Sequence, residues 1–307
     1  MMKRVFDLMR AIFSSVFFLY VVLFLCSFLF VDYKDLKHKV ELATLDRFRP
    51  ASFKYLLNYR SSEGPIDQKL LRKYVKYFET TVRIFPKLSE PYAILGHCYY
   101  HQGDISKAIE LYEKSSVLNP YFFWNQYDLG LLYYKKGLYK DARKRFEKAL
   151  LTQIDGNVAF LTSSRIYYPF LEDAHFDFPI IKKELKDGYS IASLFLLKCY
   201  AELKQYSQMR NSALFAIASN LNFIADYYYY AGLASYELRH FPEALASFQS
   251  CLKNNPEHVE ALYYLGMTLG MLGKEEPSLK ALEASQSLKM IHESGLVDLT
   301  NRDTQIF

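Results

Sequence analysis

Two spacings of hydrophobic residues divide the chain. Residues 11–31 (AIFSSVFFLYVVLFLCSFLFV) form one apolar run without a charged side chain. From residue 66 onward, apolar residues instead recur every three or four positions, the spacing that places them on one face of an α-helix. The first pattern predicts a membrane-spanning segment, and the second predicts a series of amphipathic helices.

The apolar run has the length of a membrane span. A helix of these 21 residues, rising about 1.5 Å per residue, extends about 32 Å and matches a hydrocarbon core of about 30 Å. A cleaved signal peptide is the alternative, but its apolar stretch is shorter and ends in small residues. This run ends in SFLFVDYK (27–34), which favours an uncleaved single-pass anchor in the lipid bilayer.

Basic residues flank the predicted span on both sides. Their numbers on the two sides are similar, so the positive-inside rule gives only a weak preference for one orientation. Three of them precede the span and five follow it closely: Lys3, Arg4, Arg10, Lys34, Lys37, Lys39, Arg47 and Arg49. A short head before a single span is typical of a signal-anchor that exports the rest of the chain, although unpaired cysteines are disfavoured in oxidising compartments. We expect a membrane protein whose soluble part lies on the extracytoplasmic side.

The helical part repeats with a period of 34 residues. Gly96, Gly130, Gly232 and Gly266 are separated by 34, 102 and 34 positions, and 102 is three periods. Aromatic, small and proline residues follow the glycines at constant offsets. Small residues suit a close approach of two helices, a turn glycine separates the helices, and proline ends the second one. The repeat framework consists of Leu95, Gly96, Tyr99, Ala108, Pro120, Leu129, Gly130, Tyr133, Ala142, Phe146, Gly232, Ala244, Phe248, Pro256, Leu265 and Gly266.

These residues resemble the tetratricopeptide repeat (TPR) family, whose pattern is W-x2-L-G-x2-Y followed by a turn glycine, A, F/Y, A and P. Clear copies occupy 89–122, 123–156, 225–258 and 259–292, and degenerate ones occupy 66–88 and 157–224. Within the latter, Tyr200, Met209, Ala213 and Ala216 fit a unit slipped by one residue. The resemblance implies an all-α, right-handed superhelical solenoid of stacked helix-turn-helix repeats over 66–292, preceded by one N-terminal transmembrane helix. A basic head (1–10), a juxtamembrane connector (32–65) and a polar tail (293–307) complete the predicted organisation.

The resemblance also implies a protein or peptide partner, bound along a concave groove lined by the first helix of each repeat. The predicted groove residues, called the groove face below, are Glu90, His97, Tyr100, His101, Trp124, Tyr127, Tyr134, Lys135, Tyr229, Tyr236 and Tyr263. Polar aromatic side chains are common at protein-binding surfaces. The alternative is that several of these tyrosines pack between repeats.

Charge and cysteine usage argue against other functional classes. The net charge of +5 falls to +3 without Lys3, Arg4, Arg10 and Asp7 (three cations less one anion), too little for a nucleic-acid footprint. The four cysteines, at 26, 98, 199 and 251, form no C-x-x-C motif and are interpreted as structural thiols. We therefore expect no cofactor, no nucleic acid and no small-molecule substrate.

Two polar clusters are the candidates for chemistry. His97 and His101 share a helix face with Glu90, but the H-E-x-x-H metal motif needs glutamate where Cys98 stands, so groove-lining histidines are the favoured interpretation and no metal is expected. The second cluster, EDAHFDFP (172–179), contains Glu172, Asp173, His175 and Asp177. It is the basis of an alternative hypothesis, an enzyme or accessory subunit of envelope polysaccharide or lipid assembly that uses residues 157–190. The favoured hypothesis is a non-enzymatic, membrane-tethered TPR scaffold without catalytic residues.

Overall fold

The computed structural model describes residues 68–164 and 178–293, which contain twelve α-helices and no strand. In chain order the helices are α1 (Gln68–Ile84), α2 (Ser89–His101), α3 (Ile105–Leu118), α4 (Phe123–Lys135), α5 (Tyr139–Leu151), α6 (Ile154–Ser163), α7 (Phe178–Glu202), α8 (Tyr206–Ala218), α9 (Ile224–Glu237), α10 (Phe241–Asn254), α11 (Val259–Met271) and α12 (Glu275–Glu293). None of these described helices is long and apolar enough to cross a bilayer. The predicted head, anchor and connector, the first two residues of the predicted solenoid (66 and 67), and the tail from residue 294 lie outside the described residues.

The clear repeats are helix pairs, as their sequences predict. Each first helix packs on the second helix of its own repeat: α2 on α3, α4 on α5, α9 on α10 and α11 on α12. Three of the four turns use a glycine in the left-handed region, Gly103, Gly137 and Gly273, with φ of 83°, 72° and 71°. Arg239 occupies the same place in the remaining turn with φ 61°. The described residues therefore form an all-helical, TPR-like solenoid.

The framework glycines allow the two helices of a repeat to approach closely. A Cβ atom on Gly130 would lie 2.6 Å from Cε1 of Phe146, and one on Gly232 would lie 2.7 Å from Cε1 of Phe248. Both phenylalanines are fully buried. At these positions the aromatic ring of the second helix rests directly on the backbone of the first.

The contact that joins one repeat to the next is a pair of aromatic rings. Between the repeats at 225–258 and 259–292, Phe248 stacks on Tyr264 with ring centroids 6.0 Å apart. Phe146 makes the matching stack with Phe195 of α7, at 5.8 Å. Tyr264 lies 16 positions after Phe248, whereas Phe195 lies 49 positions after Phe146. The second pair is therefore separated by 33 more residues than the first. The second half of α7 therefore stacks directly on α5.

This stacking corrects the expected organisation of residues 157–224. Where two stacked degenerate units were expected, the described residues of this range (157–164 and 178–224) contain one, formed by the second half of α7 with α8. Its buried residues Met209, Ala213 and Ala216 follow the register slipped by one residue, as does its left-handed turn residue Lys204, with φ 54°. The connection between α5 and this unit, residues 152–188, is called the insertion below.

The first helix of the insertion, α6, lies across the amino ends of α4 and α2. The side-chain oxygen of Asn157 accepts a hydrogen bond from the Phe123 backbone N–H at 2.8 Å. Ser164, which follows α6, donates its hydroxyl to Glu90 at 3.0 Å. These contacts place α6 at one edge of the first two clear repeats rather than in the stack.

Candidate protein-binding face

The groove-face residues come from four first helices that share one register. Helix α2 provides Glu90, His97, Tyr100 and His101; α4 provides Trp124, Tyr127, Tyr134 and Lys135; α9 provides Tyr229 and Tyr236; and α11 provides Tyr263. Their exposure varies widely. Lys135 and Tyr263 are exposed, whereas Tyr127 is 1% exposed and most of the others are half-buried.

Four of the predicted groove tyrosines pack against neighbouring helices. Tyr127 lies against Phe146 of α5, and also against Phe123 of its own helix. Tyr134 packs edge-on to Phe195 of α7 at 5.0 Å. Tyr229 and Tyr236 both contact the ring of Tyr264, at 6.2 Å and 5.6 Å. Burial raises the pKa of Tyr229 well above its usual range. For Tyr127 the expectation of a solvent-facing groove residue is wrong, because its ring completes the core between α4 and α5.

The insertion covers two further groove-face residues. Glu90 is buried, and its carboxylate accepts hydrogen bonds from the hydroxyls of Ser89 and Ser164. The indole of Trp124 lies under Gly188, where an added Cβ would meet the ring at 2.7 Å. The carboxylate of Glu90 is therefore already hydrogen-bonded, and the ring of Trp124 is partly covered by α7.

The amino-terminal part of the groove face contains a small polar network. His97 Nδ1 lies 3.3 Å from the Tyr112 hydroxyl, and its Nε2 lies 3.1 Å from Nε2 of His101. Two neutral imidazoles make the latter contact only when one of the two Nε2 atoms carries the proton. Burial lowers the pKa of His101 to about 4, so this histidine is neutral near pH 7. Beside it, Lys135 of α4 donates a hydrogen bond to the hydroxyl of Tyr100 on α2 at 2.9 Å, which links two adjacent repeats.

The carboxyl-terminal part of the groove face is apolar and more accessible. On α11, the groove-face residue Tyr263 is 46% exposed, and Met267 and Met271, which follow it on the same helix and are outside the eleven predicted residues, are 36% and 55% exposed. They recur at helical spacing on one side of the helix. The two methionines take places equivalent to His97 and His101 of α2, so the same repeat positions are polar at one end of the stack and apolar at the other.

The other candidate chemistry finds no support among the described residues. Within 68–164 and 178–293, no group of three or more His, Cys, Asp or Glu side chains converges as a metal site would require. Cys98, Cys199 and Cys251 are buried and unpaired, and burial raises the pKa of Cys199 and Cys251 to about 12. The cluster Glu172, Asp173, His175 and Asp177 lies outside the described residues.

Comparison with known proteins agrees with the helix pairs. Residues 96–137 match a family model described as TPR repeat, and residues 229–284 match one described as tetratricopeptide repeat. These two segments are similar in sequence to tetratricopeptide repeats. The matched segments begin in first helices and include the turns at Gly103 and Arg239.

Two curated relatives are also repeat proteins. The chain is 25% identical over 210 residues to a TPR repeat-containing protein of Methanocaldococcus jannaschii, covering 68% of this chain and 32% of the relative. It is 28% identical over 110 residues to tetratricopeptide repeat protein 8 of Mus musculus, covering 35% of this chain and 19% of the relative. The chain thus matches about a third or less of the length of each relative.

Two solved structures share the fold. YrrB, described as a TPR protein with an unusual peptide-binding site, superposes with a TM-score of 0.51 at 19% identity, covering 71% of this chain and 95% of its own. The MamA protein superposes with a TM-score of 0.50 at 18% identity, covering 69% of this chain and 97% of its own. At this level of identity the likeness concerns the fold alone.

Proposed function

We propose that this protein is a membrane-tethered TPR scaffold that binds a partner protein along the groove face. The observation that carries the proposal is the common register of the first helices, which places the groove-face side chains, most of them half-buried and a few exposed, on the same side of successive repeats. A segment of a partner protein lying along that side would contact several repeats at once. The tether would be the predicted anchor at 11–31, which confines partners to a surface and raises their effective concentration.

The accessible side chains favour a partner segment of mixed character. At the α2 and α4 end, Tyr100, His101 and Lys135 make the surface polar, and a partner would have to bind beside or replace their existing hydrogen bonds. At the α11 end, Tyr263, Met267 and Met271 offer an apolar surface, and flexible methionine side chains adapt to irregular partners. The structural likeness to YrrB, itself described as peptide-binding, is consistent with this proposal.

A matched pair of triple variants tests the binding surface. In the first, Tyr263, Met267 and Met271 of α11 are replaced by alanine. In the control, three exposed apolar residues on second helices, Val117, Leu151 and Phe215 (79%, 83% and 72% exposed), are replaced by alanine.

Crosslinking in intact membranes followed by mass spectrometry reads out the partners. We expect the groove variant to lose most of its crosslinked partners and the control variant to retain them, with unchanged melting temperatures in both. Equal partner yields for wild type and the groove variant would show that this surface does not bind the partner.

A fractionation experiment tests the tether separately. We expect the full chain to stay with membranes after carbonate washing, and to leave them when several leucines and phenylalanines of 11–31 are replaced by serine. Release of the unaltered chain by carbonate alone would refute the anchor and leave the groove face untouched.

A further inference from the structure

Helix α1, the first described helix of the solenoid, has two chemically distinct faces. One face is buried against the stack: Leu71, Tyr74, Phe78 and Thr81 are fully buried. At 100° per residue, the exposed cations of the helix fall within a sector of about 100° on the opposite side. They are Lys69, Arg72, Lys73, Lys76 and Arg83.

Within helix α1 itself, no acidic residue falls in the cationic sector. The single acidic residue of α1, Glu79, lies beside the sector and is turned to the neighbouring repeat, where it accepts a hydrogen bond from Tyr99 at 2.6 Å and lies 3.8 Å from Lys107. Among the described residues, Arg72, Lys73, Lys76 and Arg83 have no ion-pair partner. Like charges at helical spacing repel one another, so the sector slightly destabilises the isolated helix.

Helix α12, the last described helix, shows that a polar terminal helix does not need side chains of one charge sign. A terminal repeat must present a polar outer face to remain soluble. Helix α12 meets this requirement with charges of both signs, including the i,i+4 pairs Lys280–Glu276 at 2.7 Å and Lys289–Glu293 at 3.9 Å. Solubility explains α12, but it does not explain a surface of one sign on α1.

We propose that the cationic face of α1 binds the anionic lipid headgroups of the membrane that holds the anchor. This inference rests on the proposed tether, because α1 is the first described helix after residues 11–31 and 36 residues separate Val31 from Gln68. Anionic leaflets attract basic segments that lie within a Debye length of the surface.

Lysine acetylation of the full chain in nanodiscs tests the contact. We compare discs of phosphatidylcholine with discs that also contain phosphatidylglycerol. We expect Lys69, Lys73 and Lys76 to be acetylated at least about threefold more slowly in the anionic discs, because a bound headgroup shields the amine. High salt should remove the difference, because the contact is electrostatic. Lys140, Lys144 and Lys148 of α5, also exposed, are the internal control.

A pair of charge variants completes the test. In anionic discs, R72Q/K73Q/K76Q should lose the protection of Lys69, whereas K140Q/K144Q/K148Q should keep it. Equal acetylation of the α1 lysines in neutral and anionic discs, or equal slowing of the α5 lysines, would overturn the proposal. Protection by a soluble polyanion but not by anionic discs would also overturn it and assign the face to an acidic macromolecule.

The tether and the lipid contact fail in different ways. If the full chain does not enter neutral discs, the tether is wrong. The α1 face is then decided by flotation of the full chain with phosphatidylglycerol vesicles. Stronger flotation of the unaltered chain than of R72Q/K73Q/K76Q supports the lipid contact, and equal flotation refutes it.

Discussion

Replacing Gly130 by alanine is expected to destabilise the solenoid, although alanine is the better helix former. The added methyl would lie 2.6 to 2.8 Å from three ring carbons of Phe146, inside the 3.4 Å of ordinary contact. Phe146 is fully buried and stacked on Phe195, so its ring has little room to retreat. Overpacking of this kind costs about 1–3 kcal/mol, and the helix-propensity gain returns about 1 kcal/mol. We therefore expect a net loss of up to about 2 kcal/mol.

A second helical glycine provides the matched control. Gly156 of α6 has no neighbour closer than 3.9 Å to an added Cβ. Without a clash, Gly156→Ala should be neutral or stabilising by up to about 1 kcal/mol. Thermal and urea unfolding of the full chain in detergent, followed by circular dichroism at the helical minimum, measures both variants.

A double-mutant cycle identifies the cause. If the ring is responsible, Gly130→Ala should become neutral or favourable in a Phe146→Ala background, since the space for the methyl is then open. A Gly130→Ala protein as stable as the Gly156→Ala protein would refute the close-approach argument. An unchanged cost in the Phe146→Ala background would transfer the cause to another contact.

Three further outcomes follow from the described contacts. Arg239→Gly should stabilise the fold by about 0.5–1 kcal/mol in urea unfolding, since a left-handed conformation costs an L-residue about 1–2 kcal/mol and glycine loses part of this gain in chain entropy; a lower stability would contradict the strained turn. Tyr127→Ala should cost about 3–5 kcal/mol as a core truncation, and its partner binding should fall only in step with the folded fraction measured by circular dichroism. Because burial lowers the folded-state pKa of His101 to about 4, its contribution to stability is fully present above an unfolded-state pKa of about 6.5 and is lost as pH falls toward 4. His101→Gln should flatten the slope of unfolding midpoint against pH in that window, and an unchanged slope would assign it to other groups.

The repeat architecture was predictable because its packing places strict demands on residue type. A position where a ring rests on the backbone, such as Gly130 or Gly232, tolerates only glycine without rearrangement, and its recurrence every 34 residues is visible in one sequence. Left-handed turns favour glycine in the same way, and in the described turns between paired helices Lys204 and Arg239 are the two exceptions.

The insertion could not be recognised in the sequence because its length is close to one repeat period. Phe195 takes the place that the period assigns to a residue 33 positions earlier, so the insertion lengthens the chain by nearly one repeat. Because the added length is nearly one period, the framework residues of the later repeats stay at multiples of 34 residues from those of the earlier ones. The spacing alone therefore does not distinguish an insertion from a degenerate repeat. The sequence could not show whether the groove tyrosines are exposed or buried. A tyrosine has an apolar ring and a polar hydroxyl, so it is suited both to a solvent-exposed surface and to a packed contact between helices. Tyr127 and Tyr263 share a repeat position, and only the neighbouring helices decide that the first is buried.

The connections between successive packed helix pairs differ greatly in length. Four residues connect α3 to α4 and α10 to α11, whereas the insertion places 37 residues between α5 and the stacked half of α7. Loop-closure entropy grows as the logarithm of length, so closing this joint from the unfolded chain costs about 2 kcal/mol more than closing a four-residue one. The α5–α7 joint is then the natural boundary between two cooperative units, one ending at α5 and the other beginning within α7. Native-state hydrogen exchange would show this as two plateaus of protection that meet at the joint, and a single plateau would mean that α6 closes the gap.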